Sequence, residues 1–102
     1  MNNARPKIEN LLDVVSKALD TGDYLDTSHA NVRKGEREIS RPEIVYVLRH
    51  GFHEARKDKY EEQYKAWNYA IRGKTVDRRE LRVVVSFDTA GMLIITAIDL
   101  DQ

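Results

Sequence analysis

His29, Arg33 and Arg37 stand four residues apart in turn, so if residues 28–37 are helical they set one imidazole and two guanidinium groups along one face. An imidazole gives or takes a proton near neutral pH, and guanidinium groups stabilise the charge of a pentacovalent phosphate. With Arg82, further along the chain, these groups would suffice to cleave RNA through attack of the 2′-hydroxyl, without a metal. His29 is then the general acid or base, and Arg33, Arg37 and Arg82 are phosphate ligands. The same residues have a plainer reading. His29 would hydrogen-bond to the sheet, and the arginines would pair with Glu36, Glu38 or Glu43.

Arg72, Lys74, Arg78, Arg79 and Arg82 gather around one loop and its flanking strands, where they would grip a phosphate backbone or an acidic protein partner. Asp77 and Glu80 dilute that charge, as in many solvated loops. Tyr60 and Tyr64 lie in a charged segment and are candidates to stack on unpaired bases. Trp67 and Tyr69 alternate onto the same side as Ile71 and read as core. His50 and His53 flank Gly51 with Glu54 nearby, which are ligand types for a divalent cation. Their spacing matches no helical histidine pair, and a histidine at a helix end is favourable through the helix dipole alone. No metal site is assigned and no cofactor is expected. The chain has no glycine-rich phosphate loop and no nucleophile elbow.

The elements that must position these groups follow from periodicity. Ile8, Leu11, Leu12, Val15 and Leu19 predict an amphipathic helix over 7–20, which Gly22 stops. Thr27 or Ser28 would cap a second, polar helix over 28–36. Ser40 with Glu43 forms a capping box, and Pro42 fits the first turn of a third helix that Gly51 ends. From Phe52 the period becomes two. Phe52–Tyr60 reads as a charged edge strand, Trp67–Ile71 as a half-buried strand, and Leu81–Phe87 as a third. Met92–Ile98 is apolar nearly throughout, as for a central strand covered on both sides. The predicted fold is α+β: three N-terminal helices followed by a three- to four-stranded antiparallel sheet.

The chain has 102 residues, 41% hydrophobic and 33% charged, enough for one domain with a single core. Its formal net charge is zero, so the whole-molecule field gives no support for nucleic-acid binding. The distribution is uneven: residues 27–82 carry fourteen basic and nine acidic side chains, and all three histidines. With no cysteine, disulfides and thiolate chemistry are excluded. The start lacks the apolar region of a secretory signal, and no apolar run is long enough for a membrane span. A cytoplasmic protein is expected.

Ser28-His29-Ala30, Arg33, Arg37-Glu38-Ile39-Ser40, Glu43-Ile44, Leu48 with Gly51, Asp58, Trp67 to Gly73, Leu81-Arg82-Val83-Val84-Val85 and Ile94-Ile95-Thr96 carry a resemblance in their order and spacing. Over residues 27–99 the chain resembles a small bacterial family defined only as a domain of unknown function, Domain of Unknown Function 4258. That family looks distantly related to the RelE/ParE-like toxins, small metal-independent ribonucleases or gyrase poisons. The resemblance implies a RelE/ParE-like core over 27–99, RNA as substrate or ligand, and an antitoxin-like protein partner in a toxin–antitoxin-type system. Residues 1–26 fall outside it, as an added helix that would pack on the core or form a homodimer surface through residues 7–20. RelE-like nucleases are commonly strongly basic, and this chain, with a pI near 6.8, departs from that. Two function classes therefore stand. One is a toxin-like domain that cleaves or binds RNA; the other is a non-enzymatic interaction module or homodimeric regulatory subunit.

Overall fold

Leu11, Val15, Ala18 and Leu19 recur at helical spacing and form the buried stripe of α1 (Leu11–Thr21) in the computed structural model, which describes residues 6–28 and 38–101. The helix closes at Gly22 in the left-handed conformation (φ 79°). A short strand, β1 (Tyr24–Asp26), follows. The helix α2 (Arg41–His50) opens on the expected capping box: the Glu43 N–H donates to Ser40 Oγ at 3.3 Å, and the Ser40 N–H donates to Glu43 Oε1 at 3.0 Å. Its buried face is Ile44, Val47 and Leu48, and the Gly51 N–H closes its last turn on the Val47 carbonyl at 2.7 Å.

The remaining elements are β2 (Phe52–His53), a 3-10 turn at Ala55–Lys57, β3 (Lys59–Glu61), β4 (Ala66–Lys74), β5 (Glu80–Asp88) and β6 (Gly91–Asp99). They form a six-stranded sheet in the order β1-β6-β5-β4-β2, with β3 pairing β4 beyond β2. All pairings are antiparallel except β1 with β6, which runs parallel. On the inner face Tyr69, Ile71, Leu81, Val83, Val85, Met92 and Ile94 join the stripes of α1 and α2 in one core. Each large side chain buried there stabilises the fold by ~1.5–3 kcal/mol. Among the described residues no helix packs on the outer face, which carries Arg72, Arg82, Val84, Thr96 and Ile98.

The expected three helices and three- to four-stranded antiparallel, RelE/ParE-like sheet are therefore corrected. Among the described residues there are two α-helices and a six-stranded mixed sheet. The first helix begins at Leu11 rather than at residue 7, and the helix expected over 28–36 lies, beyond Ser28, outside the described residues. Tyr24–Asp26 was too short to show a period, yet it pairs with Met92–Ile94. The single edge strand expected over Phe52–Tyr60 is broken in two. Asp58 Oδ1 takes the Ala70 N–H at 3.0 Å, substituting a carboxylate for the ladder acceptor, and the chain turns there. Among the described residues no helix covers the second side of β6. A bulge re-phases the alternation: Val84 pairs with Thr96 but Val85 with Ile94, leaving Ile95 as the extra residue. Met92 and Ile94 point inward while Ile98 is 42% exposed. The apolar stripe of α1, a candidate dimer surface in the sequence, packs into the core of its own chain.

Candidate anion-binding site on the outer face

Strand register sets four side chains in one row across the outer face. Ile98 pairs with Arg82, Arg82 with Arg72, and Arg72 with Phe52, and directly opposed residues of antiparallel strands share a face. Two arginines directly opposite one another would repel. Glu54 resolves the conflict. Its N–H donates to the Ala70 carbonyl at 2.8 Å, which extends the β2 alternation by one residue and brings its side chain to the outer face. Arg82 Nε donates to Glu54 Oε1 at 2.6 Å and Arg72 Nη1 to Oε2 at 3.1 Å, while Arg56 Nη2 lies 3.5 Å from Oε2. Arg72 Nη2 also donates to Glu80 Oε2 at 3.1 Å.

The Glu54 side chain is only 4% exposed. Its pKa is held down to about 2, first by the hydrogen bond from Arg82; burial pushes upward, and Arg72 adds a further downward pull. The pKa of Arg72 is raised by its hydrogen bonds to Glu80 and then to Glu54. Glu54 thus lies beneath a lid of cations. Arg56, Arg72, Arg82 and Lys74 face Glu54 and Glu80, so the group remains locally positive.

Arg82 commits only Nε to this arrangement. Its two terminal amino groups donate to no described residue, and no buried side-chain nitrogen or oxygen lacks a partner among the described residues. The free end of the guanidinium therefore keeps some access to solvent, although the Arg82 side chain as a whole is only 17% exposed. Such a fork takes two phosphate oxygens at once. An anion placed there meets two guanidinium groups, with a carboxylate below that can accept a proton.

Glycines fix the spacing that makes the row. A Cβ at Gly51 would lie 2.5 Å from the Arg72 carbonyl oxygen, and one at Gly73 would lie 2.9 Å from the Gly51 Cα. The chain leaving α2 can lie against β4 only because both positions lack a side chain, and that contact sets Phe52 beside Arg72.

The other residues named from the sequence are dispersed. Arg79 is buried; its Nε donates to Asp99 Oδ2 at 2.6 Å and its Nη1 reaches Glu43 Oε2 and the Glu38 carbonyl at 3.4 Å each. Burial opposes its charge, but Asp99 and then Glu43 raise its pKa, so Arg79 binds the loop after β4 to the start of α2. Lys74 and Arg78 are exposed, Arg78 with a left-handed backbone (φ 68°). Tyr60 packs edge-on to Trp67 with ring centroids 5.4 Å apart, and Tyr64 is 73% exposed in the turn before β4. His29, Arg33 and Arg37 lie outside the described residues.

His50 lies against Tyr46, while His53 Nε2 is 2.7 Å from Asp58 Oδ2, so the two histidines around Gly51 have separate neighbours. Among the described residues no three His, Cys, Asp or Glu side chains converge as a metal site would need. The Asp58 side chain is wholly buried and also receives Lys7 Nζ at 3.0 Å, and Lys7 stands over the Trp67 ring at 4.6 Å. With the Ile8 N–H donating to the Tyr69 hydroxyl at 3.0 Å, these contacts fasten the segment before α1 to the sheet.

Sequence reasoning weighed Glu54 only as a metal ligand and passed over Phe52. A signal for Glu54 existed in retrospect: one acidic residue falling in phase with two arginines of neighbouring strands. Reading it required the β2–β4–β5 register.

No curated protein and no solved structure matches the chain with significance. One family model does match, over residues 27–99, which takes in α2, all the outer-face row and the Asp58 node but neither α1 nor β1. On that match the chain belongs to the family described as Domain of unknown function (DUF4258).

Proposed function

We propose that this protein binds and cleaves RNA without a metal, at the outer-face group of Glu54, Arg72 and Arg82. The observation that carries the reading is the fork of Arg82, which grips a buried carboxylate through Nε alone and leaves its two terminal amino groups without a described partner. In the proposed step Glu54 accepts the proton of a 2′-hydroxyl, the 2′-oxygen attacks phosphorus, and the P–O5′ bond breaks. The products are a 2′,3′-cyclic phosphate and a 5′-hydroxyl, whose proton comes from an acid. The sequence offers His29 for that donor. Arg72 and Arg82 hold the non-bridging oxygens as negative charge grows.

A carboxylate with a pKa of about 2 is a poor base, but the same geometry supplies the remedy. A phosphate drawn onto the Arg82 fork sets negative charge beside Glu54, which opposes the ionised form of the carboxyl. Substrate binding thereby raises the basicity of the group that must act on it.

Cleavage and binding of a fluorescent single-stranded RNA test the reading. Glu54→Gln should keep binding and lose cleavage by ~10²–10⁴-fold, the usual scale for a general base. Arg82→Ala should weaken binding as well. A wild-type protein that neither binds nor cuts RNA would end the proposal.

The second reading, a non-enzymatic interaction module, rests on Leu25 (61% exposed), Phe52 (56%) and Ile98 (42%) standing on that same face, which no described helix covers. It predicts a stable protein complex whose formation Glu54→Gln leaves unchanged.

A further inference from the structure

Phe52 and Ile98 stand at the two ends of a row whose middle is the arginine pair, and both are exposed. Single exposed apolar side chains are ordinary on any surface. Here two of them bracket a pair of guanidinium groups, in register, on a face that no described helix covers.

Adjacent strands lie about 4.8 Å apart, which puts Phe52 about 5 Å from Arg72 and about 10 Å from Arg82 along the row. A nucleotide has the same layout: a flat apolar ring, a sugar, then an anion. A base and its phosphate use both the aromatic ring and the two cations at that spacing. The edge position of β2 favours the same ligand. The β3 pairing with β4 begins only at Asn68, further along the strand, so at Arg72 the sheet ends with Phe52.

From this we infer that the ligand of the row is single-stranded RNA, with an unpaired base stacked on Phe52 and its phosphate held by Arg72 and Arg82; the inference rests on the function proposed above. Ile98, beyond Arg82, provides the apolar surface for the neighbouring base. Bases in a duplex already cover one another's faces, so double-stranded RNA offers nothing to Phe52. Of the aromatics named from the sequence, Tyr60 already packs on Trp67. Tyr64 lies in the turn before β4, away from the arginines.

The test uses the full chain and three fluorescent probes of equal length: a 2′-O-methyl single strand, which binds but has no nucleophile; the same strand annealed to its complement; and an abasic ribose-phosphate strand. Wild type should prefer the base-bearing single strand. Phe52→Ala should weaken that complex about ten-fold, the scale of one lost stacking contact, and leave the abasic complex unchanged. Phe52→Trp should restore the affinity, and Arg82→Ala should weaken both single-stranded complexes. Phe52 lies outside the core, so equal thermal midpoints for the Phe52 variants and wild type serve as the folding control. If Phe52→Ala binds the base-bearing strand as wild type does while Arg82→Ala does not, the stacking role falls and RNA binding stands. If wild type binds none of the probes, both fall.

Discussion

Glu54 shows how much one side chain can depend on distant sequence. It is buried and charged because guanidinium groups from positions 72 and 82 reach it from two different strands. Removing one partner of such a pair leaves the other's charge desolvated and is the expensive change, whereas the intact arrangement is close to neutral. Its depressed pKa makes a prediction with a definite sign. Folding lowers the pKa from an ordinary 4.5 to about 2, so the folded state binds fewer protons through that range. The stability this carboxylate contributes is fully present above about pH 4.5 and is lost as the pH falls through about 2. Urea unfolding from pH 5 to pH 2 should therefore show a wild-type stability that drops more steeply than that of Glu54→Gln. Parallel curves would mean that the arginines do not hold the carboxylate. At this scale the chemistry-bearing residue types were legible in the sequence, but their partners were not. Arg82 was named as a phosphate ligand with no hint that Glu54, 28 positions away, takes its Nε. Arg79 looked like a loop cation and is a buried tie between strands and helix.

Among the elements, α2 was the most legible because its start signal is local: Ser40 and Glu43 satisfy one another's backbone N–H groups, and Pro42 between them needs none. The short strands were illegible for the opposite reason. Two or three residues show no period, and what makes Phe52–His53 a strand is the backbone of β4 alongside it. The contact that brings them together is the pair Gly51 and Gly73. Gly51→Ala should cost about 2–3 kcal/mol or more, since its methyl would meet the carbonyl oxygens of Arg72 and Val47 at 2.5 and 2.6 Å and neither backbone can yield cheaply. Chemical denaturation measures that loss. Because the same contact places Phe52 and Glu54 beside Arg72, the RNA affinity proposed for the row should fall with it, even though position 51 lies outside the row. An alanine variant with wild-type stability would show that α2 and β4 are less closely opposed.

For the molecule as a whole, the helix outside the family match is part of the core. Leu11 and Val15 of α1 are buried with Ile44, Leu48 and Ile71, and the segment before it is tied down by Lys7–Asp58 and Ile8–Tyr69. Leu11→Ala should destabilise by ~2–5 kcal/mol in thermal or urea unfolding while leaving the outer-face row intact. A chain beginning at Asp23 should lose its cooperative melting transition; retention of the wild-type midpoint would make α1 an accessory. The amphipathic spacing announced this helix, and the composition announced a single core. The face it would cover was beyond the reach of periodicity, since an apolar stripe looks the same whether it meets its own sheet or a second copy.

The parallel pairing of β1 with β6 carries a consequence for synthesis. Among the described residues Tyr24–Asp26 finds its ladder neighbour in a strand whose first residue is Gly91, and the Thr27 amide is satisfied by the Ile94 carbonyl at 2.9 Å. While the ribosome has yet to make Gly91–Asp99, the early part of the chain waits with that edge open. Contacts between such remote positions are the slow ones to form. Translation of this domain thus passes through an incomplete sheet that only the last strand can close, and that is the interval in which a nascent chain is most in need of a chaperone.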